Sequence, residues 1–292
     1  MLRCQTMRCV AIVAVIAPFF AAHLAFAQAG SDEEVAIETD PAPVYRGPNE
    51  EPSWRQDVLV ALIGGGVRFR RIQLEVGDGG TENRDLATGP YFSFGWHLLI
   101  RPMGHRSPRA SIRAIVLQFD GAAGIGPTVE PVGTGISLDT NGWQMWGQLG
   151  YLYPLGRTQF GGLVGVGGDA FEIDLNSVLP SSRIVYVRLG PSASHELIAR
   201  RLVVRGDFGL RFPFSLGALE HTFGEDSRAF GLDSVVTFQG RLDAGFSYAL
   251  RFIWEYFTYR FAGPNDGSPA AAYGGGGHDH AIYVQVLLGW SL

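Results

Sequence analysis

The chain has 292 residues with 28 acidic and 23 basic side chains, every basic one an arginine, giving a formal net charge of -5. That mild acidity argues against a nucleic-acid partner. Apolar residues make up 46%, with 19 Phe among them, but beyond the N-terminus they are dispersed. No run is long enough for a membrane-spanning helix.

In chain order, residues 1–27 predict a secretory signal peptide. Arg3 and Arg8 precede an apolar run from Val10 to Phe20, and Ala25-Phe26-Ala27 offers small residues at both cleavage-determining positions before Gln28. Pro18 and His23 interrupt the run, and acidic residues follow it, which fits a retained membrane helix less well. Cys4 and Cys9, the only two cysteines, lie inside this segment. A processed chain would carry no thiol, hence no disulfide, no cysteine-based metal site and no lipid-bearing terminal cysteine. Residues 28–56 are acidic and broken by Pro41, Pro43, Pro48 and Pro52. They have too little apolar surface to order themselves and predict a disordered periplasmic leader, with Trp54 where the chain meets the membrane interface.

From 57 onward the sequence alternates. Ten strands are predicted, over 57–76, 90–101, 111–120, 142–153, 158–171, 183–190, 202–214, 234–248, 251–261 and 281–292. Connections over 77–89, 121–141, 172–182, 215–233 and 262–280 are long, and those over 102–110, 154–157, 191–201 and near Ala249 are shorter. Long loops outside and short turns inside are the asymmetry of an outer-membrane barrel. The short turns hold Arg101, Arg106, Arg109, Arg157, Arg200 and Arg201. The long loops hold Asp78, Glu82, Asp85, Glu220, Glu225, Asp226, Asp266 and Asp279.

Parity sets the faces. Val204, Phe208, Leu210, Phe212 and Phe214 share one side of their strand, while Arg205, Asp207, Gly209 and Arg211 share the other. Phe92, Phe94, Trp96, Leu98 and Ile100 repeat the pattern against Ser93, Gly95 and His97. A charge on a lipid-facing side costs about 2–4 kcal/mol at mid-bilayer, so the polar sides must face a lumen. A soluble barrel such as a lipocalin would put its apolar face inside. The predicted fold is therefore an all-β, antiparallel, up-and-down transmembrane β-barrel of about ten strands, spanning 57–292. A luminal charge network is expected from Arg205, Asp207, Arg211, Arg241, Asp243, Arg251 and Glu255, with a bend near 248–250 setting Arg241 diagonal to Glu255. The first strand loses parity after Phe69, and a bulge at Arg70-Arg71 would return Ile72, Leu74 and Val76 to the outer face.

The last strand is the clearest. Ile282, Val284, Val286, Leu288, Trp290 and Leu292 form one wholly apolar face, opposite Tyr283, Gln285, Leu287, Gly289 and Ser291. On these patterns 57–292 resembles small bacterial outer-membrane barrels of the OmpA/OmpX-like kind. That resemblance implies an integral outer-membrane protein surrounded by lipid, with its leader in the periplasm. It also implies a C-terminal signal, here Val286, Leu288, Trp290 and Leu292, read by the barrel-assembly machinery. Leu292 stands where the family commonly has Phe. The role implied is structural or surface interaction through extracellular loops, toward a ligand the sequence does not identify. A narrow channel for small solutes or ions is the alternative.

No catalytic residue, cofactor or metal is assigned. Omptin-like surface proteases also resemble ten-stranded barrels, but the Asp-x-Asp and Asp-x-His patterns of their dyads are absent. Glu172 and Asp174 share a strand face, as do His278 and His280; two imidazoles are too few for a specific metal site, and His278-Asp279-His280 after four glycines reads as a polar loop. His105-Arg106-Ser107 matches by letter the His-x-Ser of lipid-modifying barrels, but in a turn without a strand to align the serine. Gly165 to Ala170 loosely matches a dinucleotide fingerprint, yet no helix follows to hold a pyrophosphate.

Overall fold

The computed structural model describes residues 57–76, 82–104, 111–131, 137–173, 180–198, 201–242, 245–265 and 268–292. The expected signal peptide and leader lie outside them. Period-two alternation gives strands almost throughout: β1 (Leu59–Val76), β2 (Glu82–Thr88), β3 (Tyr91–Ile100), β4 (Ile115–Gly124), β5 (Thr128–Pro131), β6 (Leu138–Leu155), β7 (Thr158–Ile173), β8 (Ser182–Ile198), β9 (Leu202–Ser215), β10 (Arg228–Arg241), β11 (Phe246–Asn265) and β12 (Ser268–Ser291). A short 3-10 turn at Ser111–Ala114 precedes β4, and one short helix, α1 (Ala218–Phe223), precedes β10.

Every pairing is antiparallel, and β12 returns to β1, with Val60 opposite Ser291 and Glu75 opposite Gly276. The sheet is thus closed and leaves no open edge. The twelve strands make a ring of ten. β2 and β3 lie end to end along β1, interrupted at Gly89-Pro90. β4 and β5 lie end to end along β6, interrupted at 125–127. Pro90 and Pro127 lack the N–H a ladder needs, and the two gaps are matched because β2 pairs with β5.

Several expected boundaries move. At the Leu292 end β6 and β7 are joined by Gly156-Arg157 alone, although β3 and β4 are joined over 101–114; at the other end the strands reach far into the expected loops, and β11 and β12 run on together as far as Asn265 and Ser268. The asymmetry therefore comes from overhanging hairpins more than from long loops. Strand β8 runs on through Pro191 to Ile198, where a turn had been expected to begin. The β10–β11 turn falls at 242–245 instead of 248–250. Gly245 there adopts φ +79°, and the Leu242 N–H donates to the Phe246 carbonyl at 2.7 Å. Arg241 accordingly faces Ser247, and Glu255 faces Asp233.

Strand β1 has no bulge: its register with β12 is unbroken from Val60 to Glu75. Ile72 and Leu74 consequently point inward and are buried. The physical reason is that β1 outruns the band of outward apolar side chains. Above the apolar band the barrel interior becomes an ordinary apolar core, made by Ile72, Leu74, Leu86, Val129, Phe171, Ile173, Ile184, Tyr186, Phe257, Tyr259 and Phe261, with Leu216, Leu219 and Phe223 around α1 closing it from above.

Where β1 meets β12 the backbones crowd. A Cβ on Gly64 would lie 2.0 Å from the Val286 carbonyl oxygen, and one on Gly66 2.0 Å from that of Val284. Replacing Gly66 with alanine is expected to cost about 1–3 kcal/mol, read as a lower urea midpoint. Gly206→Ala, whose Cβ meets nothing within 4 Å, should leave the midpoint unchanged.

Candidate functional site: the lumen and the outer rim

Inward-facing residues fill the barrel in tiers. Nearest the Leu292 end, Val60, Leu62, Leu99, Val116, Leu152, Leu163, Ala249 and Leu287 form an apolar layer. The middle of the barrel is ionic. Asp120 takes Arg251 at 2.7 Å, His97 Nδ1 at 2.8 Å and the Gln118 amide at 2.6 Å. Arg205 donates to Asp207 at 2.9 Å and to Gln118 at 2.6 Å. Asp233 receives two guanidinium groups, Arg188 Nε at 2.8 Å and Arg211 Nε at 2.7 Å. Arg211 also donates to Glu255, which accepts the Tyr283 hydroxyl at 2.7 Å, and Arg188 donates to Gln148. Arg70 bridges Asp169 at 2.8 Å and Asp279 at 2.6 Å, while Arg68 reaches Asp169 at 3.2 Å and stacks over Tyr283 at 4.1 Å.

The charges balance. Arg68, Arg70, Arg188, Arg205, Arg211 and Arg251 meet Asp120, Asp169, Asp207, Asp233, Glu255 and Asp279, one carboxylate for each guanidinium. Arg68, Arg188, Arg211 and Arg251 are the largest fully buried side chains of the protein. Low dielectric makes each pair strong and each unpaired member costly, so the set acts as a cross-linked plug.

Of the residues singled out from the sequence, Arg205, Asp207, Arg211, Arg251 and Glu255 lie in this plug. Arg241 sits at the barrel mouth instead, donating to Asp57 at 2.6 Å, and is not beside Glu255. Burial pushes the Asp57 carboxyl above its usual range, against the pull of Arg241 and Arg101. Asp243 lies outside the described residues, as do Asp174, His105, Arg106 and Ser107. Val286, Leu288, Trp290 and Leu292 point outward and are exposed.

Parity reasoning missed Arg68, Arg70, Asp120, Asp169, Arg188, Asp233 and Asp279. Asp279 is a luminal residue of β12, not a loop acid, and its neighbours His278 and His280 point outward from the same strand. Tyr256 hydrogen-bonds His278 Nδ1 at 2.6 Å and packs on His280 at 4.7 Å, forming an aromatic surface cluster. Among the described residues no three His, Cys, Asp or Glu side chains gather to hold a metal. Asp169, in the glycine-rich stretch of β7, is committed to Arg68 and Arg70.

At the overhanging end a polar cleft of about 930 Å³ opens between the start of β6 (Asp139, Asn141), the end of β7 (Glu172), the start of β8 (Ser181, Arg183) and α1 (His221). Arg183 donates to Glu172 at 3.2 Å across its edge. The Ser181 hydroxyl is engaged by the backbone of Ile173, accepting its N–H at 3.0 Å. Below the rim, Arg71 and Asp85 pair in a bidentate contact at 3.1 and 2.5 Å, which holds the Asp85 carboxyl below its usual range.

No protein-family model matches the chain, and no curated protein matches it. Among solved structures it is similar to the outer membrane protease OmpT of Escherichia coli at 9% identity, over 84% of this chain and 100% of that one, with a TM-score of 0.48. It is also similar to an outer membrane channel of Pseudomonas putida F1, at 12% identity over 87% and 100% of the two chains with a TM-score of 0.39. A FadL homologue of Pseudomonas aeruginosa shares 6% identity over 82% and 93%, at 0.30. The protein is an antiparallel, ring-closed β-barrel whose interior stacks apolar layers around an ionic middle.

Proposed function

We propose that the protein is an integral outer-membrane β-barrel with a sealed lumen, non-enzymatic, whose role is structural or recognitional and is exercised at its outer rim. The observation that carries this reading is inverted polarity. Phe92, Val164, Val286 and Trp290 are between 51% and 61% exposed on the outside, while Arg68, Arg188, Arg211 and Arg251 are buried within. A protein folded for water gains about 25 cal/mol for each Å² of apolar surface it hides, and this one leaves a band of large apolar side chains outside. Lipid removes the contradiction. No helix among the described residues is long and apolar enough to cross a membrane.

The balanced plug weighs against a narrow channel, since any permeating ion would have to displace paired charges and two apolar tiers. The rim offers chemistry instead: an open cleft carrying Asp139, Glu172, Arg183 and His221.

Refolded protein in planar bilayers is expected to give no discrete conductance steps while still showing heat-modifiable migration on gels. Reproducible steps that vanish on changing Arg211 or Asp233 would establish the channel instead.

A further inference from the structure

Outward-facing arginines on the upper strands are not all alike. Arg71 is paired with Asp85, and Arg183 with Glu172. Arg228 on β10 and Arg260 on β11 stand directly opposite each other, both exposed, and neither has an ion-pair partner among the described residues. Directly opposed like charges on neighbouring strands are destabilising, with Cα atoms only about 4.5–5.5 Å apart.

Their height gives the pair a purpose. On the outer face of β11, Phe252 and Trp254 belong to the apolar band, Tyr256 and Thr258 follow, and Arg260 stands next above them. Six residues of tilted strand separate Arg260 from Trp254, roughly 14–16 Å along the membrane normal at about 3.3 Å per residue and a tilt of about 40°. Arginine lays its apolar stem along apolar surface while keeping its charged head in water. One row below the pair lie Phe230, in edge-to-face contact with Phe212 at 5.6 Å, and Thr258 opposite it. An apolar shelf thus underlies two guanidinium groups that have no ion-pair partner among the described residues, with the exposed Asp226 one row above them.

We propose that Arg228 and Arg260 form a binding site for the phosphomonoester head group of a lipid in the leaflet nearest the overhanging hairpins. A phosphate monoester carries about -1.5 to -2 charges at neutral pH and three acceptor oxygens, matching two guanidinium forks; a phosphodiester, with one charge, matches only one. The acyl chains of the same lipid lie against Phe230 and Phe212. The glycan or glycerol behind the phosphate faces Thr258. The site rests on the membrane reading above.

The test uses the full barrel in phosphatidylcholine nanodiscs doped with phosphatidate or with phosphatidylglycerol, lipid retention being measured by native mass spectrometry. Phosphatidate should be retained in preference to phosphatidylglycerol, and Arg228→Gln/Arg260→Gln should weaken its retention about thirtyfold. Arg228→Lys/Arg260→Lys should weaken it less, and Arg183→Gln not at all. Equal retention by the wild type and the Gln double variant, equal retention of the two lipids, or an equal loss in Arg183→Gln overturns the site. Displacement of phosphatidate by an equal concentration of inorganic phosphate overturns the lipid as its source. A barrel that fails to enter nanodiscs overturns the membrane reading itself; one that enters and retains lipid without selectivity overturns only this site.

Discussion

Asp233→Ala is expected to destabilise the barrel by about 3–5 kcal/mol, because it removes the acceptor two buried guanidinium groups share and leaves one of them without a carboxylate. Asp233 is fully buried and is the shared acceptor of Arg188 and Arg211. Arg211 would retain Glu255, but Arg188 would keep only neutral Gln148 as a hydrogen-bond partner among the described residues. Asp233→Asn keeps the volume and separates charge from packing, and it should recover only a minor part of the loss. The comparison is Asp85→Ala, which breaks the half-exposed Arg71 pair and should cost no more than about 1 kcal/mol. Urea unfolding of the refolded barrel measures both. Equal midpoints for Asp233→Ala and Asp85→Ala would show that the lumen is wet and its charges are screened.

Val284→Arg tests the surroundings. Val284 lies on the outer face of β12, level with Phe252 and Val67 in the middle of the apolar band. In lipid vesicles an arginine there is expected to cost about 2–4 kcal/mol, against about 0–1 kcal/mol for Thr258→Arg near the upper edge. Water around the barrel would make both substitutions nearly neutral, since Val284 is 38% exposed and nothing inside the protein would be disturbed. The depth dependence therefore reports the membrane.

Strand faces were legible in the sequence because a period of two survives wherever the outward face is apolar and the inward face polar. Phe92 to Ile100 and Val204 to Phe214 alternate cleanly, and the structure places their faces accordingly. The rule fails above the outward apolar band. Ile72 and Leu74 are apolar and inward because the overhang has a water-type core, so their apparent slip is a change of surroundings and not of register. The β10–β11 turn was misplaced because Leu242 and Ala244 continue the alternation of Val236 and Phe238, masking the turn made possible by Gly245. The plug was only half visible. Carrying parity into β1 exposes Arg68 and Arg70, opposite in sense to Val67 and Phe69. Their partners are another matter: Asp169 is 101 residues from Arg68, and Asp279 is 209 from Arg70. Contacts across a lumen depend on the stagger of the whole ring, which no local pattern records.

The seam between β1 and β12 governs when this protein can become itself. Until Val60 meets Ser291, both terminal strands present bare edges, and the guanidinium groups of β1 have no lumen in which to find Asp169 and Asp279. Closure joins segments more than two hundred residues apart, the kind of contact that forms slowly because the intervening chain must first be ordered. Synthesis from the N-terminus can therefore yield no stable half-barrel, and the polypeptide must be kept from collapsing on its own apolar faces until its final strand is in place.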